Sequence, residues 1–157
     1  MTDEPIVVAF SVRLPELHLL APSPPHTYMG VAHAMYMGVT ALATMPSPPA
    51  LPLALLAAHT LECGLKAYLS RNGDDTRVTR DSHLRHNLDE LWALASDQGL
   101  EVPHAPPPWV TCLSLVHNKP YHLRYSGGVH GISTPSPEPM TTELGALLGQ
   151  VDRQLHT

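Results

Sequence analysis

The sequence has few charged residues, few aromatic residues and almost no cysteine. Only 15% of its 157 residues are charged and 5% are aromatic, and the 9 Lys and Arg residues are outnumbered by 14 Asp and Glu. The net charge of −5 argues against a protein that binds long duplex nucleic acid through its phosphates alone. Two cysteines, Cys63 and Cys112, are too few to cross-link a domain of this size. Their number excludes a disulfide-framed secreted scaffold and favours a cytoplasmic protein.

Asp, Glu, Lys and Arg are missing altogether between residues 17 and 61, which raises the question of a membrane segment. A spanning helix needs about 20 consecutive and strongly apolar residues. The most apolar part of this run, residues 29–45, is diluted by glycine, histidine and threonine and is followed by prolines. The first residues are acidic, whereas a signal peptide begins with a basic segment. We therefore expect two buried core helices and no membrane segment.

Apolar residues recur at helical spacing in five segments that proline or glycine separates. We predict an all-α fold, a four- to five-helix up-and-down bundle with proline-rich loops. The first two predicted helices cover residues 26–43 and 51–69. The third is capped by Asn87 and ended by Gly99, the fourth runs from Pro108 to about Pro120, and the fifth begins at Pro139.

The sequence also predicts how the rest of the chain is organised. Residues 1–25 are expected to form an extended N-terminal arm and linker, and residues 26–157 the helical bundle. The polar stretch 71–85 is expected to be a solvated connection, and Gly127-Gly128 a flexible loop.

The second predicted helix is apolar on nearly every side, which predicts a central helix that is packed on several sides. It nevertheless carries His59, Glu62 and Lys66 on one face. Glu62 and Lys66 are four residues apart, the spacing that favours an ion pair. This pair is either structural, with a lysine stem that reaches solvent, or a polar lining for a small ligand or a dimer cleft.

A second candidate site lies in residues 102–137, a long stretch that contains basic residues but no acidic ones. Its densest part contains Lys119, Tyr121, Arg124 and Tyr125. The arginine fork matches a phosphate and tyrosine rings stack on bases, so this combination favours a nucleotide or single-stranded RNA as ligand. A solvated loop is the alternative.

Three short motifs, in this order along the chain, resemble the HEPN family of helical domains. Residues 61–69 (LECGLKAYL) are similar to the family's Glu-x-x-x-Lys-Ala-hydrophobic second helix, and His86-Asn87-Leu88 to its His-Asp-Leu helix start. Leu123-Arg124-Tyr125 is similar to its Arg-Tyr-Pro signature. The resemblance covers roughly residues 26–157.

This resemblance implies a homodimer that binds nucleotide or RNA, with a role in a toxin–antitoxin or defence system. Many HEPN proteins are metal-independent endoribonucleases that use Arg-x(4–6)-His across a dimer cleft, and Arg124 and His130 have this spacing. The resemblance makes these two residues the catalytic candidates. The two candidate sites above supply the ligand-binding candidates, which are Lys119, Tyr121, Arg124, Tyr125, Glu62 and Lys66. A non-catalytic dimer module, or the partner of a nucleotidyltransferase-type protein, remains the alternative.

The 11 histidines raise the question of a metal site. His117 and His122 are five residues apart, whereas a helix-borne zinc pair needs a spacing of four. His83 and His86 are three apart but have no third ligand nearby in sequence. We therefore expect no metal and no cofactor, and a metal-binding bundle of the DinB type is a less favoured reading. Cys63 and Cys112 are expected to be buried core thiols.

Overall fold

The computed structural model describes residues 23–125 and 131–156, and within these ranges the chain forms six helices and no strand. Residues 1–22 of the predicted arm, and Gly127-Gly128, lie outside the described residues. No helix in the described ranges is both long and apolar enough to cross a membrane. The helices are α1 (Pro24–Ala43), α2 (Ala50–Leu69), α3 (Thr76–Arg80), α4 (Leu88–Asp97), α5 (Pro108–His117) and α6 (Pro137–Leu155).

Helix α2 is the centre of the fold. It contacts α1, α4, α5 and α6, and every residue from 60 to 69 is buried. A helix that is packed on several sides must be apolar around most of its circumference, which is the pattern that the sequence has here. The prediction of a central helix is confirmed.

Local signals place most of the helix ends. The side chain of Asn87 accepts a hydrogen bond from the backbone N–H of Glu90 (3.3 Å) and so caps α4. Gly99 follows α4 with a φ of 97°, a left-handed conformation that suits glycine. Helix α5 begins at Pro108 as predicted and ends at His117. Helices α1 and α6 each begin two residues before their predicted starts, at Pro24 and Pro137.

The segment 71–85 is more structured than the sequence predicts. It contains the short helix α3, and Val78 and Leu84 are buried in the core. Arg71 places its guanidinium 4.3 Å from the centre of the Tyr68 ring and donates a hydrogen bond to the Gln98 carbonyl (3.0 Å). The expectation of a solvated connection is therefore wrong in part, because two apolar side chains among many polar ones are enough to fasten the segment to the bundle.

Candidate functional site

The carboxylate of Glu62 is the centre of a buried polar cluster that we define as Glu62, Lys66, His86 and His117. Its Oε1 accepts a hydrogen bond from Lys66 Nζ at 2.6 Å. Its Oε2 lies 2.6 Å from His117 Nε2 and 3.0 Å from His86 Nδ1. The side chains of Glu62 and Lys66 are 5% and 6% exposed, so this ion pair is buried.

Three parts of the fold bring the cluster together. Glu62 and Lys66 come from α2, His86 immediately precedes the cap of α4, and His117 is the last residue of α5. Asn87, which caps α4, also accepts a hydrogen bond from Ser114 Oγ of α5 (3.3 Å). This contact joins the start of α4 to α5, and the rings of His86 and His117 meet edge to face at 5.9 Å.

The electrostatics of the cluster keep Glu62 ionised. Burial by itself would raise the pKa of the Glu62 carboxyl, but the hydrogen bond from His117 and the charge and hydrogen bond of Lys66 hold that pKa well below its usual value. An ionised carboxylate only accepts hydrogen bonds, so the contacting nitrogens of His86 and His117 donate. Burial lowers the pKa of His86, although its contact with Glu62 acts in the opposite direction.

His117 uses only one of its two ring nitrogens. Its side chain has no exposed surface, and Nδ1 has no hydrogen-bond partner among the described residues. The ionised Glu62 carboxylate accepts from Nε2, so in a neutral ring Nε2 carries the proton and Nδ1 is a bare acceptor. The arrangement therefore fits a proton on Nε2 that is donated to Glu62.

A tight turn after α5 brings Arg124 close to the cluster. The backbone N–H of Leu123 donates to the Val116 carbonyl (3.1 Å), which folds residues 118–125 back along α5. Tyr121 has a φ of 66°, a left-handed conformation that is strained for an aromatic residue. Its ring meets the ring of His86 edge to face at 5.6 Å, and the Arg124 guanidinium lies 5.8 Å from its centre.

The predicted site residues fall into two groups. Glu62 and Lys66 are paired in the interior, while Lys119, Arg124 and Tyr125 are exposed, with Tyr121 half-buried between them. Lys119 lines a separate cavity of about 240 Å³ together with Asn87, Asp89 and Ser114. His130, the second catalytic candidate, lies outside the described residues.

The two thiols and one groove are not part of the buried polar cluster. Cys63 is buried as expected, and burial raises the pKa of its thiol to about 12. Cys112 is only half-buried, which corrects the expectation of a second core thiol, because it lies beside the exposed residues Thr111 and Leu115 of α5. A groove of about 510 Å³, lined by Trp92, Trp109 and residues of α6, was not anticipated.

The cluster itself is the feature that sequence reasoning missed. His86 and His117 contact a carboxylate that is 24 and 55 positions away in the chain. No local spacing encodes such contacts. The one signal in the sequence is the presence of His86 in a motif that resembles HEPN proteins, and this motif predicts only the start of a helix.

Comparison with known proteins finds no match: neither a protein-family model, nor a curated protein, nor a solved structure is similar to this chain.

Proposed function

We propose that this chain is a HEPN-like cytoplasmic protein that binds nucleotide or single-stranded RNA in a toxin–antitoxin or defence system. The observation that supports the proposal is the meeting of three motif segments that lie far apart in sequence. Glu62 and Lys66, then His86, then Tyr121 and Arg124 form one continuous series of contacts. The residues that carry the resemblance are therefore neighbours, which is what a shared site requires.

The ligand-binding surface of this proposal is the exposed turn around Arg124. Arg124 is exposed and 68% of the surface of Tyr125 is accessible to solvent. The arginine offers a planar set of donors to a phosphate, and the tyrosine offers a face for stacking on a base. Glu62 is the one carboxylate of the buried polar cluster, and its charge is neutralised by Lys66 in the interior. It therefore does not compete with a phosphate for Arg124.

The buried polar cluster has a supporting role in this proposal. His86 contacts both Glu62 and the ring of Tyr121, and Tyr121 lies beneath Arg124. The cluster thus fixes the conformation of the strained turn that presents the arginine. Arg124 acts on the ligand directly, while Glu62 and Lys66 act as positioning residues.

Binding is tested by fluorescence anisotropy with labelled single-stranded RNA and with nucleotides, each at two salt concentrations. We expect Arg124→Lys to weaken binding by about tenfold, because lysine cannot reproduce a bidentate contact with phosphate. The matched control is Arg80→Ala, which removes one exposed positive charge from α3. Binding by Arg124→Ala that equals wild-type binding would contradict the proposed site.

The same proposal covers two outcomes for catalysis. In the endoribonuclease, His130 assists the attack of the ribose 2′-hydroxyl on phosphorus and Arg124 stabilises the phosphorane. The bond to the 5′-oxygen then breaks, so that cleavage in EDTA leaves a 2′,3′-cyclic phosphate and a 5′-hydroxyl. His130→Ala then abolishes cleavage and retains binding. Binding without any cyclic-phosphate product identifies the alternative, a non-catalytic module that serves a nucleotidyltransferase-type partner.

We further propose that the protein is a homodimer. Large apolar side chains remain accessible on its surface, among them Met37 (73% exposed), Leu115 (71%) and Met45 (47%). A symmetric interface would cover such residues and would also bring two copies of the Arg124 turn together. Sedimentation at micromolar concentration is expected to show a dimer, and a monomer alone would contradict the proposal.

A further inference from the structure

We propose that Glu62, His86 and His117 form a binding site for Zn²⁺, which is distinct from the exposed Arg124 turn and does not depend on RNA binding. Each of the three residues offers one ligand atom, and these atoms all lie within 4.8 Å of one another. Two imidazole nitrogens and one carboxylate oxygen are a donor set that Zn²⁺ uses in proteins with a fourth position left open.

The distances show how far the ligands would have to move. Tetrahedral Zn²⁺ with bonds of about 2.0–2.1 Å separates its ligand atoms by about 3.3 Å. Glu62 Oε2 is now 2.6 Å from His117 Nε2 and 3.0 Å from His86 Nδ1, distances at which a proton lies between each pair. When one ion takes this position, each imidazole carries its proton on the other ring nitrogen, and the two contacts widen by less than about 1 Å. The two imidazole nitrogens, which lie within 4.8 Å of each other, adjust to the same separation of about 3.3 Å.

The position of each ligand suits this adjustment. Glu62 belongs to the long helix α2 and His117 to the end of α5, and both side chains are buried in the core. His86 lies in the connection before α4, and its side chain is 19% exposed. A small shift of His86 would widen its contact with Glu62 Oε2 and would also give the ion a path from solvent.

Lys66 defines which carboxylate oxygen is the ligand. Its ammonium donates a hydrogen bond to Oε1 of Glu62 (2.6 Å), so Oε2 is the atom that contacts both imidazoles. A hydrogen-bonded partner on the second oxygen orients a metal-binding carboxylate, which is the usual function of groups around a metal site. The positive charge of Lys66, however, opposes the binding of a cation.

His117 also limits the affinity. Coordination through Nε2 places the ring proton on Nδ1, which has no hydrogen-bond partner in the part of the chain that the structure describes. Together with the charge of Lys66, this unpaired group weakens binding relative to a fully supported zinc site. We expect one Zn²⁺ per chain with a Kd on the order of 1–10 μM.

The test uses the full chain after treatment with EDTA and buffer exchange. Co²⁺, which has a visible absorption spectrum that reports its coordination, is titrated first, and Zn²⁺ is then added to displace it. Wild-type protein is expected to give a tetrahedral Co²⁺ spectrum with a stoichiometry of one. His86→Ala is expected to weaken the binding of both ions by at least about tenfold, because the substitution removes one of three ligands.

Matched variants separate this site from the other histidines. His83→Ala removes an exposed histidine three positions earlier in the same connection and is expected to bind like wild type. Glu62→Gln, checked by circular dichroism for helix content, serves as a second variant of the site. The proposal is overturned if wild-type protein takes up no stoichiometric Co²⁺ or Zn²⁺, or if His86→Ala binds both ions as tightly as His83→Ala does. Both results are independent of whether the protein binds RNA.

Discussion

Glu62 of α2 and His117 of α5 are 55 positions apart in the chain, yet Oε2 and Nε2 lie 2.6 Å from each other in the interior. Because the carboxylate also binds Lys66 and His86, one side chain joins three parts of the bundle. A buried charge of this kind is stable only while its partners are in place. The contact therefore connects the stability of the core to the geometry of the candidate site.

Removal of Lys66 is expected to destabilise the protein strongly. Lys66→Met leaves the Glu62 carboxylate buried with only its two histidine partners, and breaking a buried pair costs about 3–5 kcal/mol. Because those partners remain, we expect a loss of about 3 kcal/mol in the free energy of unfolding, at the lower end of that range. Urea unfolding monitored by circular dichroism measures this change in the free energy of unfolding.

The control for this prediction is the contact between His104 Nε2 and Asp97 Oδ1 (3.2 Å), whose side chains are 68% and 61% exposed. His104→Ala is expected to change stability by less than about 1 kcal/mol, because solvent screens the pair. If the two substitutions have equal effects, the Glu62–Lys66 pair contributes no more than a surface pair.

The contact between Tyr28 and Asp75 predicts a loss of stability at alkaline pH. The Tyr28 hydroxyl of α1 donates to Asp75 Oδ2 (3.1 Å), and burial together with this hydrogen bond raises the pKa of Tyr28 to about 12. A raised pKa in the folded state means that the contribution is fully present below the usual tyrosine value of 10.0 and is lost as the pH rises through about 12.

The measurement compares wild type with Tyr28→Phe. At neutral pH we expect the variant to be less stable by about 1 kcal/mol, the usual net contribution of a hydrogen bond. The difference should shrink as the pH approaches 12. A difference that stays constant over this range would show that the ionisation of Tyr28 is not linked to folding.

Two glycine substitutions are expected to act in opposite directions. A Cβ atom on Gly145 of α6 would overlap with Tyr36 Oη and would lie 2.8 Å from Cζ. The Tyr36 side chain is held in place because its hydroxyl donates a hydrogen bond to the Thr141 carbonyl (3.0 Å). Gly145→Ala should therefore cost about 1–3 kcal/mol, more than the helix propensity that alanine adds.

Gly30 of α1 is the matched control, because a Cβ atom there would meet nothing within 4 Å. Gly30→Ala should stabilise the protein by about 0.5–1 kcal/mol through helix propensity alone. Thermal unfolding of both variants provides the comparison. Equal shifts in Tm would mean that α6 does not approach Tyr36 closely in solution.

The two thiols should react at very different rates. Cys63 is 5% exposed and burial raises the pKa of its thiol to about 12, whereas Cys112 is half-buried and its Sγ lies 3.6 Å from the Ser133 carbonyl. The thiolate is the form that attacks a thiol reagent, so the folded protein should consume one equivalent quickly. Cys112→Ser should abolish this fast phase, and a fast phase that persists in Cys112→Ser would place the reactive thiol at Cys63.

The helices themselves follow from local features of the sequence. Asn87 caps α4, Gly99 supplies the left-handed residue after it, and Pro108 begins α5, as their residue types predict. The apolar circumference of α2 likewise predicts its central position. These predictions succeed because capping, backbone dihedral preference and apolar periodicity act within a few residues.

Contacts between distant segments are a matter of tertiary structure. The sequence places Glu62 beside Lys66 on one helix face, but only the packing of α2 against α4 and α5 brings His86 and His117 to the same carboxylate oxygen. The burial of Val78 and Leu84 within a polar stretch depends in the same way on the surface that faces them. Sequence therefore determines which segments become helices, because that choice is local. The partners of the buried charge are decided by the fold, because they depend on which helix ends meet in space.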